Sequence, residues 1–176
     1  HRVTRNGEPT FQDVMKAFDL LQLYDIRTDI LTVITAHSVG RPDAVYSFFK
    51  HIGATFINFL PLVNHCPESF GGVTSDSVSA EAFGSFLCHV FDAWKREDIE
   101  DIKVEIFEEA ARTAFGQMPA VCVYRPTCGD VPVVESNGDF YACDHFVAPE
   151  YRYGSIMASH LSELLENPSQ TQFGID

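Results

Sequence analysis

Ile30-Leu31-Thr32-Val33-Ile34, then Val45, Phe48, Phe49 and Ile52 ahead of Gly53, then Phe56-Ile57-Asn58-Phe59-Leu60 closed by Pro61, is the stretch that decides the fold. Its outer runs are short and rich in β-branched and aromatic residues, which predicts two strands, the first buried on both faces because the run is unbroken. The 3, 4 spacing between them predicts a helix with Gly53 as its C-cap. Upstream, Phe11, Val14, Met15, Phe18 and Leu21 fall at helical spacing behind Thr10, a candidate N-cap with Asp13 at the third helical position. An amphipathic helix with one buried face is expected over residues 10–24. Helix, strand, helix, strand at this pitch is the grammar of βα repeats around a parallel sheet, where sites gather at the C-terminal ends of strands. The loops after Ile34 and Leu60 are therefore the first places to look for chemistry, and the second, 61–78, is long and rich in Gly and Ser.

Downstream, Phe83, Phe86, Leu87, Val90, Phe91 and Trp94 form one stripe of a third helix that starts at Ser79 and contains Cys88, read as a core or surface thiol. A strand over 104–107 and a helix over 108–115 stopped by Gly116 are expected next. The grammar then changes. Val131-Pro132-Val133-Val134-Glu135 and Asp139-Phe140-Tyr141-Ala142-Cys143 flank Ser136-Asn137-Gly138, and Asn-Gly between β-prone runs signals a hairpin. A boundary near Met118 separates two modules, 1–117 and 118–176.

Composition narrows the function classes. The 176 residues, 45% of them apolar, suffice for a compact domain, and disorder is excluded as the general description. Twelve Lys and Arg against 25 Asp and Glu give a net charge of −13 with no basic stripe, which argues against nucleic-acid binding. No apolar run is long enough to span a bilayer, and residues 1–10 lack the features of a signal peptide, so no membrane partner is expected. Five cysteines, an odd number unevenly placed, point to a reducing, cytoplasmic setting rather than a disulfide framework.

Cys122, Cys128 and Cys143 lie in or beside the hairpin module, where a turn brings distant positions toward one coordination sphere. Thiolates suit an iron–sulfur cluster, which usually takes four; zinc would accept the three plus His145; buried thiols without a metal are the third reading. His145 is open as a fourth ligand, a partner behind the ligands or a surface residue. Asp144 is either a turn-capping residue or a base held beside a ligand. His37 and His65 sit in the two loops after the strands, where a barrel would face its substrate, and read as solvated rather than functional; Cys66 beside His65 is open between the same readings.

The run Cys122-x5-Cys128-Gly129, then Val133-Val134-Glu135-Ser136-Asn137-Gly138-Asp139-Phe140-Tyr141-Ala142-Cys143-Asp144-His145-Phe146-Val147, then Tyr151 and Gly154-Ser155-Ile156, closely resembles the start of the SPASM extension of radical S-adenosylmethionine enzymes. Its Cys-Asp-His-Phe-Val segment is similar to anaerobic sulfatase-maturating enzymes. Gly7-Glu8-Pro9-Thr10-Phe11 with Val14-Met15, Ile30-Leu31-Thr32-Val33, Val45-Tyr46 with Phe48-Phe49-Lys50, and Phe83-Gly84-Ser85-Phe86-Leu87 are similar to that family in order and spacing. Asp29, Asn58 and Ser155 depart from its usual residues.

The resemblance implies the fold: an α/β chain comprising the C-terminal part of a (β/α) partial TIM-type barrel, followed by a small hairpin-bearing SPASM-like module. It also implies the activity, in which a sulfatase polypeptide is the substrate and its active-site Cys or Ser is oxidised to formylglycine. S-adenosylmethionine on a [4Fe–4S] cluster generates the radical, Asp144 is the general base, and Cys122, Cys128 and Cys143 are ligands of an auxiliary [4Fe–4S] cluster. No Cys-x3-Cys-x2-Cys occurs in the chain, so a fragment of a longer enzyme is expected, inactive by itself and colourless or zinc-bearing when purified in air. Two rivals stand beside this reading: a zinc- or peptide-binding module with a structural Cys/His site, and a related enzyme that modifies another peptide.

Overall fold

A computed structural model describes residues 2–66, 72–129 and 131–175, and the chain divides into two compact units, His1–Glu108 and Glu109–Asp176. The first carries helix α1 (Phe11–Leu23), strand β1 (Ile30–Ile34), helix α2 (Pro42–His51), strand β2 (Phe56–Pro61), helix α3 (Ala80–Glu97) and strand β3 (Lys103–Val104), after which helix α4 (Glu105–Ala114) begins. The strands form a parallel sheet in the order β1-β2-β3, with Ile30 opposite Ile57 and Phe56 opposite Lys103.

One face of this sheet is packed. Ile34, Ile57 and Phe59 meet Tyr46 and Phe49 of α2 and Phe86, Val90 and Trp94 of α3, with the Phe59 and Phe86 rings 5.3 Å apart. Successive parallel strands joined by crossovers of one hand put their helices on one side. That explains the first departure from expectation: β1 is not buried on both faces, because Leu31 and Val33 alternate onto the uncovered side and are 67% and 51% exposed. The face of α1 is likewise only partly covered; Phe18 is buried while Phe11 and Val14 are exposed. Thr10 occupies the N-cap position without capping through its side chain, since its hydroxyl donates to the Arg2 carbonyl. Ser79 does cap α3, accepting from the Ala82 N–H. The strand expected over 104–107 is two residues long, and the helix expected over 108–115 starts at Glu105. A run of Glu and Ala favours helix, and the helical turn seats Phe107 against Phe91 and Trp94, with centroids 5.1 and 5.3 Å away. Tyr46 donates to the buried Asp98 at 2.8 Å, and burial first, then that carboxylate, push its phenol well above the ordinary range. Among the described residues no helix is long and apolar enough to cross a membrane.

The second unit contains the 3₁₀ turn Cys122–Tyr124, strands β4 (Val133–Val134) and β5 (Asp139–Tyr141), the 3₁₀ turn Pro149–Tyr151, strand β6 (Arg152–Ser155) and helices α5 (Leu161–Leu165) and α6 (Pro168–Phe173). The hairpin expected around Asn137-Gly138 is present, with Val134 opposite Phe140 and Gly138 in the left-handed conformation that the turn requires. Two features lay outside the sequence reading. β6 adds a third, antiparallel strand to β5, and α5 and α6 follow it. Phe140, Ala142 and Leu164 are the most deeply buried apolar residues of this unit.

Candidate functional site

Cys143 stands two residues past the end of β5. Just past the strand Ala142 is fully buried and Cys143 is 5% exposed, and the Ala142 N–H donates to the Tyr151 carbonyl at 3.1 Å. The chain then turns sharply. The His145 backbone N–H donates to the Cys143 Sγ at 3.5 Å, the Asp144 Oδ1 lies 3.4 Å from that sulfur, and the His145 Nδ1 lies 3.6 Å from it. Asp144 and His145 pair at 3.0 Å with side chains 58% and 66% exposed. The donor atoms of Cys143, Asp144 and His145 all lie within 4.8 Å of one another.

Burial pushes the Cys143 thiol above its ordinary pKa; the His145 N–H pulls the other way, and the hydrogen bond to Asp144 and the charges of Asp144 and Cys128 add to the rise. The same geometry suits the thiol form, with the Cys143 Sγ–H donating to the Asp144 Oδ1. A bound cation reverses that preference, because a coordinating thiol is deprotonated.

The other two cysteines are held by different elements. Cys122 opens the 3₁₀ turn that follows Ala120 and Val121, whose N–H groups donate to the buried Glu109 carboxylate at 2.8 and 3.1 Å. Arg125 closes the same turn, its guanidinium donating to the Pro119 and Ala120 carbonyls. Cys128 is exposed at its side chain but fixed at its backbone, donating to the Gly174 carbonyl at 2.8 Å. A methyl group at Gly174 would overlap the Cys128 carbonyl, so only glycine permits this approach. Glu109, Gln170 and Gly174 were not singled out by the sequence, since nothing in the spacing of Glu109 or in the polar run Pro168-Ser169-Gln170-Thr171-Gln172 marks which members turn inward.

Neither Cys122 nor Cys128 joins the Cys143 group at the separation that one ion requires. Of the set Cys122, Cys128, Cys143 and His145, Cys143 and His145 are in that group. A cluster carries several iron atoms and spaces its thiolates farther apart. Three thiols on hydrogen-bonded backbones, one already accepting a main-chain N–H, are the donor chemistry that such a group takes.

In the first unit the C-terminal ends of β1 and β2 are tied together. The Ala36 N–H donates to the Asp76 carbonyl, the Leu62 N–H to the Ile34 carbonyl, and His37 pairs with Asp76 at 3.0 Å on an exposed surface. His65 bridges to Val73, and the intervening 67–71 lie outside the described residues. Cys66 is half-buried and Cys88 exposed. Asn58, on the uncovered face, donates to Glu105.

No protein-family model matches the chain. A serine-type anaerobic sulfatase-maturating enzyme of Bacteroides thetaiotaomicron is 34% identical over 99% of this chain and 45% of its own length. A cysteine-type counterpart of Clostridium novyi is 28% identical over 100% of this chain and 47% of its own. Among solved structures, anSMEcpe with bound AdoMet matches with a TM-score of 0.85 at 26% identity, covering the whole chain and 47% of that protein. The same enzyme with AdoMet and the Cp18Cys peptide gives a TM-score of 0.85 and 50% coverage. The chain spans less than half the length of the curated relatives named here. Along 99% of its residues the chain is similar to one stretch of the anaerobic sulfatase-maturating enzymes, as the motif around Cys122, Cys128 and Cys143 implied.

Proposed function

We propose that these residues form the later βα units of a radical S-adenosylmethionine barrel, 1–117, and the start of a SPASM extension, 118–176, in an enzyme that oxidises a sulfatase Ser or Cys to formylglycine. Cys122, Cys128 and Cys143 are auxiliary [4Fe–4S] ligands on this reading, and Asp144 is the general base. S-adenosylmethionine and the clusters, when bound, supply the radical that removes a β-hydrogen and the acceptor for the remaining electron. Asp144 takes the hydroxyl or thiol proton of the same substrate side chain.

The observation that carries the reading is the Asp144 carboxylate 3.4 Å from the Cys143 sulfur and 58% exposed. It is at once beside a ligand and open to an incoming side chain, so the hydroxyl or thiol proton and the electron of the adjacent carbon leave one substrate side chain without wide charge separation. The likeness to serine-type and cysteine-type relatives, and to an enzyme solved with peptides, supports a polypeptide substrate.

Co-expression of the whole enzyme with a sulfatase, followed by mass spectrometry of the sulfatase active-site peptide, tests this. Asp144→Asn is expected to keep its iron and lose formylglycine formation by about 100-fold or more, the size of a general-base contribution. Formylglycine at the unmodified enzyme's yield in that variant, or an unaltered peptide with the unmodified enzyme, overturns the proposal.

A further inference from the structure

Gln170 is 6% exposed, buried in α6 between exposed Ser169 and Thr171. Its Nε2 donates to the Gly129 carbonyl at 2.6 Å and to the Ala142 carbonyl at 2.9 Å. One carbonyl directly follows Cys128 and the other directly precedes Cys143. Both partners only accept, which fixes the amide with its nitrogen toward them and leaves Oε1 buried with no partner among the described residues. A buried acceptor without a donor is unfavourable, and an apolar side chain of similar shape would avoid it. The amide therefore does something that filling space does not. It joins two segments that are distant in sequence and that each carry a cysteine, and the Cys128 N–H bond to Gly174 anchors the same segment to the end of the same helix.

We infer that Gln170 is a positioning residue that sets the separation of the Cys128 and Cys143 sulfurs for the auxiliary cluster. This rests on the ligand assignment proposed above. The bridge holds main chain on both sides of the site, so its loss widens the site without removing a ligand.

The test uses the whole enzyme reconstituted without air, in three variants. Gln170→Met removes both hydrogen bonds and the orphaned oxygen; Gln170→Asn keeps the amide but withdraws it by one methylene; Cys143→Ser removes a ligand. The readouts are the rate of iron loss to a chelator and the paramagnetic-resonance line shape of the reduced auxiliary cluster. Partners behind metal ligands are commonly worth 10- to 100-fold in metal retention, so both Gln170 variants are expected to release auxiliary iron about tenfold faster and with an altered line shape. Cys143→Ser is expected to abolish that signal. If Cys143→Ser abolishes it while the Gln170 variants keep the original rate and line shape, the positioning role fails and the ligand assignment stands. If Cys143→Ser changes nothing, the ligand assignment fails and the positioning role with it. Should Gln170→Met not fold, Gln170→Asn decides: the original rate and line shape in that variant overturn the inference.

Discussion

The sheet of His1–Glu108 and the sheet of Glu109–Asp176 each have three strands, held by different means. The parallel sheet rests on one apolar cluster in which Ile34, Ile57, Phe86, Val90 and Val104 are at most 1% exposed. The antiparallel sheet has little such material. Phe140, Ala142 and Leu164 are buried, and the unit also relies on polar ties: Glu109 under the Cys122 turn, Gln170 between two carbonyls, Arg152 on Asp139 at 2.6 Å. Small units with thin cores use staples, and metal ligation is one of them. The two units thus show one chain dividing its labour, with burial building a scaffold and directed hydrogen bonds holding cysteines in place.

Core truncation probes the contrast hardest. Phe86→Ala removes a ring packed against Phe59 and Phe83, and about 3–5 kcal/mol of stability is expected to go with it. Denaturant melts of the parallel unit's Trp94 fluorescence measure this; a loss below about 1 kcal/mol would mean that burial is not what holds that sheet.

The polar ties of the second unit give smaller, pH-dependent effects. The Arg152 guanidinium holds the Asp139 carboxyl below the usual carboxylate range, chiefly through their hydrogen bond. A carboxyl depressed in the folded state stabilises above its unfolded pKa of about 3.9 and loses that contribution as pH falls through the lower folded value. Arg152→Met is expected to lower the melting temperature slightly at pH 7 and not at all near pH 2. An equal loss at both pH values would assign the effect to packing of the Arg stem instead.

How far the sequence reaches follows the same division. Asn137-Gly138 between β-prone runs revealed the hairpin, and hydrophobic patterning revealed α2, α3 and β2, because burial is what places them. It misjudged β1, since an unbroken apolar run looks the same whether helices cover one face or two. It placed α4 three residues late, where Glu and Ala preferences outweighed a short β-branched run. The cysteines and Asp144 were visible through their motif. Glu109, Gln170 and Gly174 were not, because a polar residue becomes a clamp only through contacts that the fold creates.

The most direct measurement is iron and acid-labile sulfide per chain in the whole enzyme purified without air, compared with a variant in which Cys122, Cys128 and Cys143 are all serine. Loss of about four iron and four sulfide, with the remaining clusters kept, is the expected result. Unchanged iron, or the loss of a single zinc in its place, would contradict the assignment of these three thiols to a cluster.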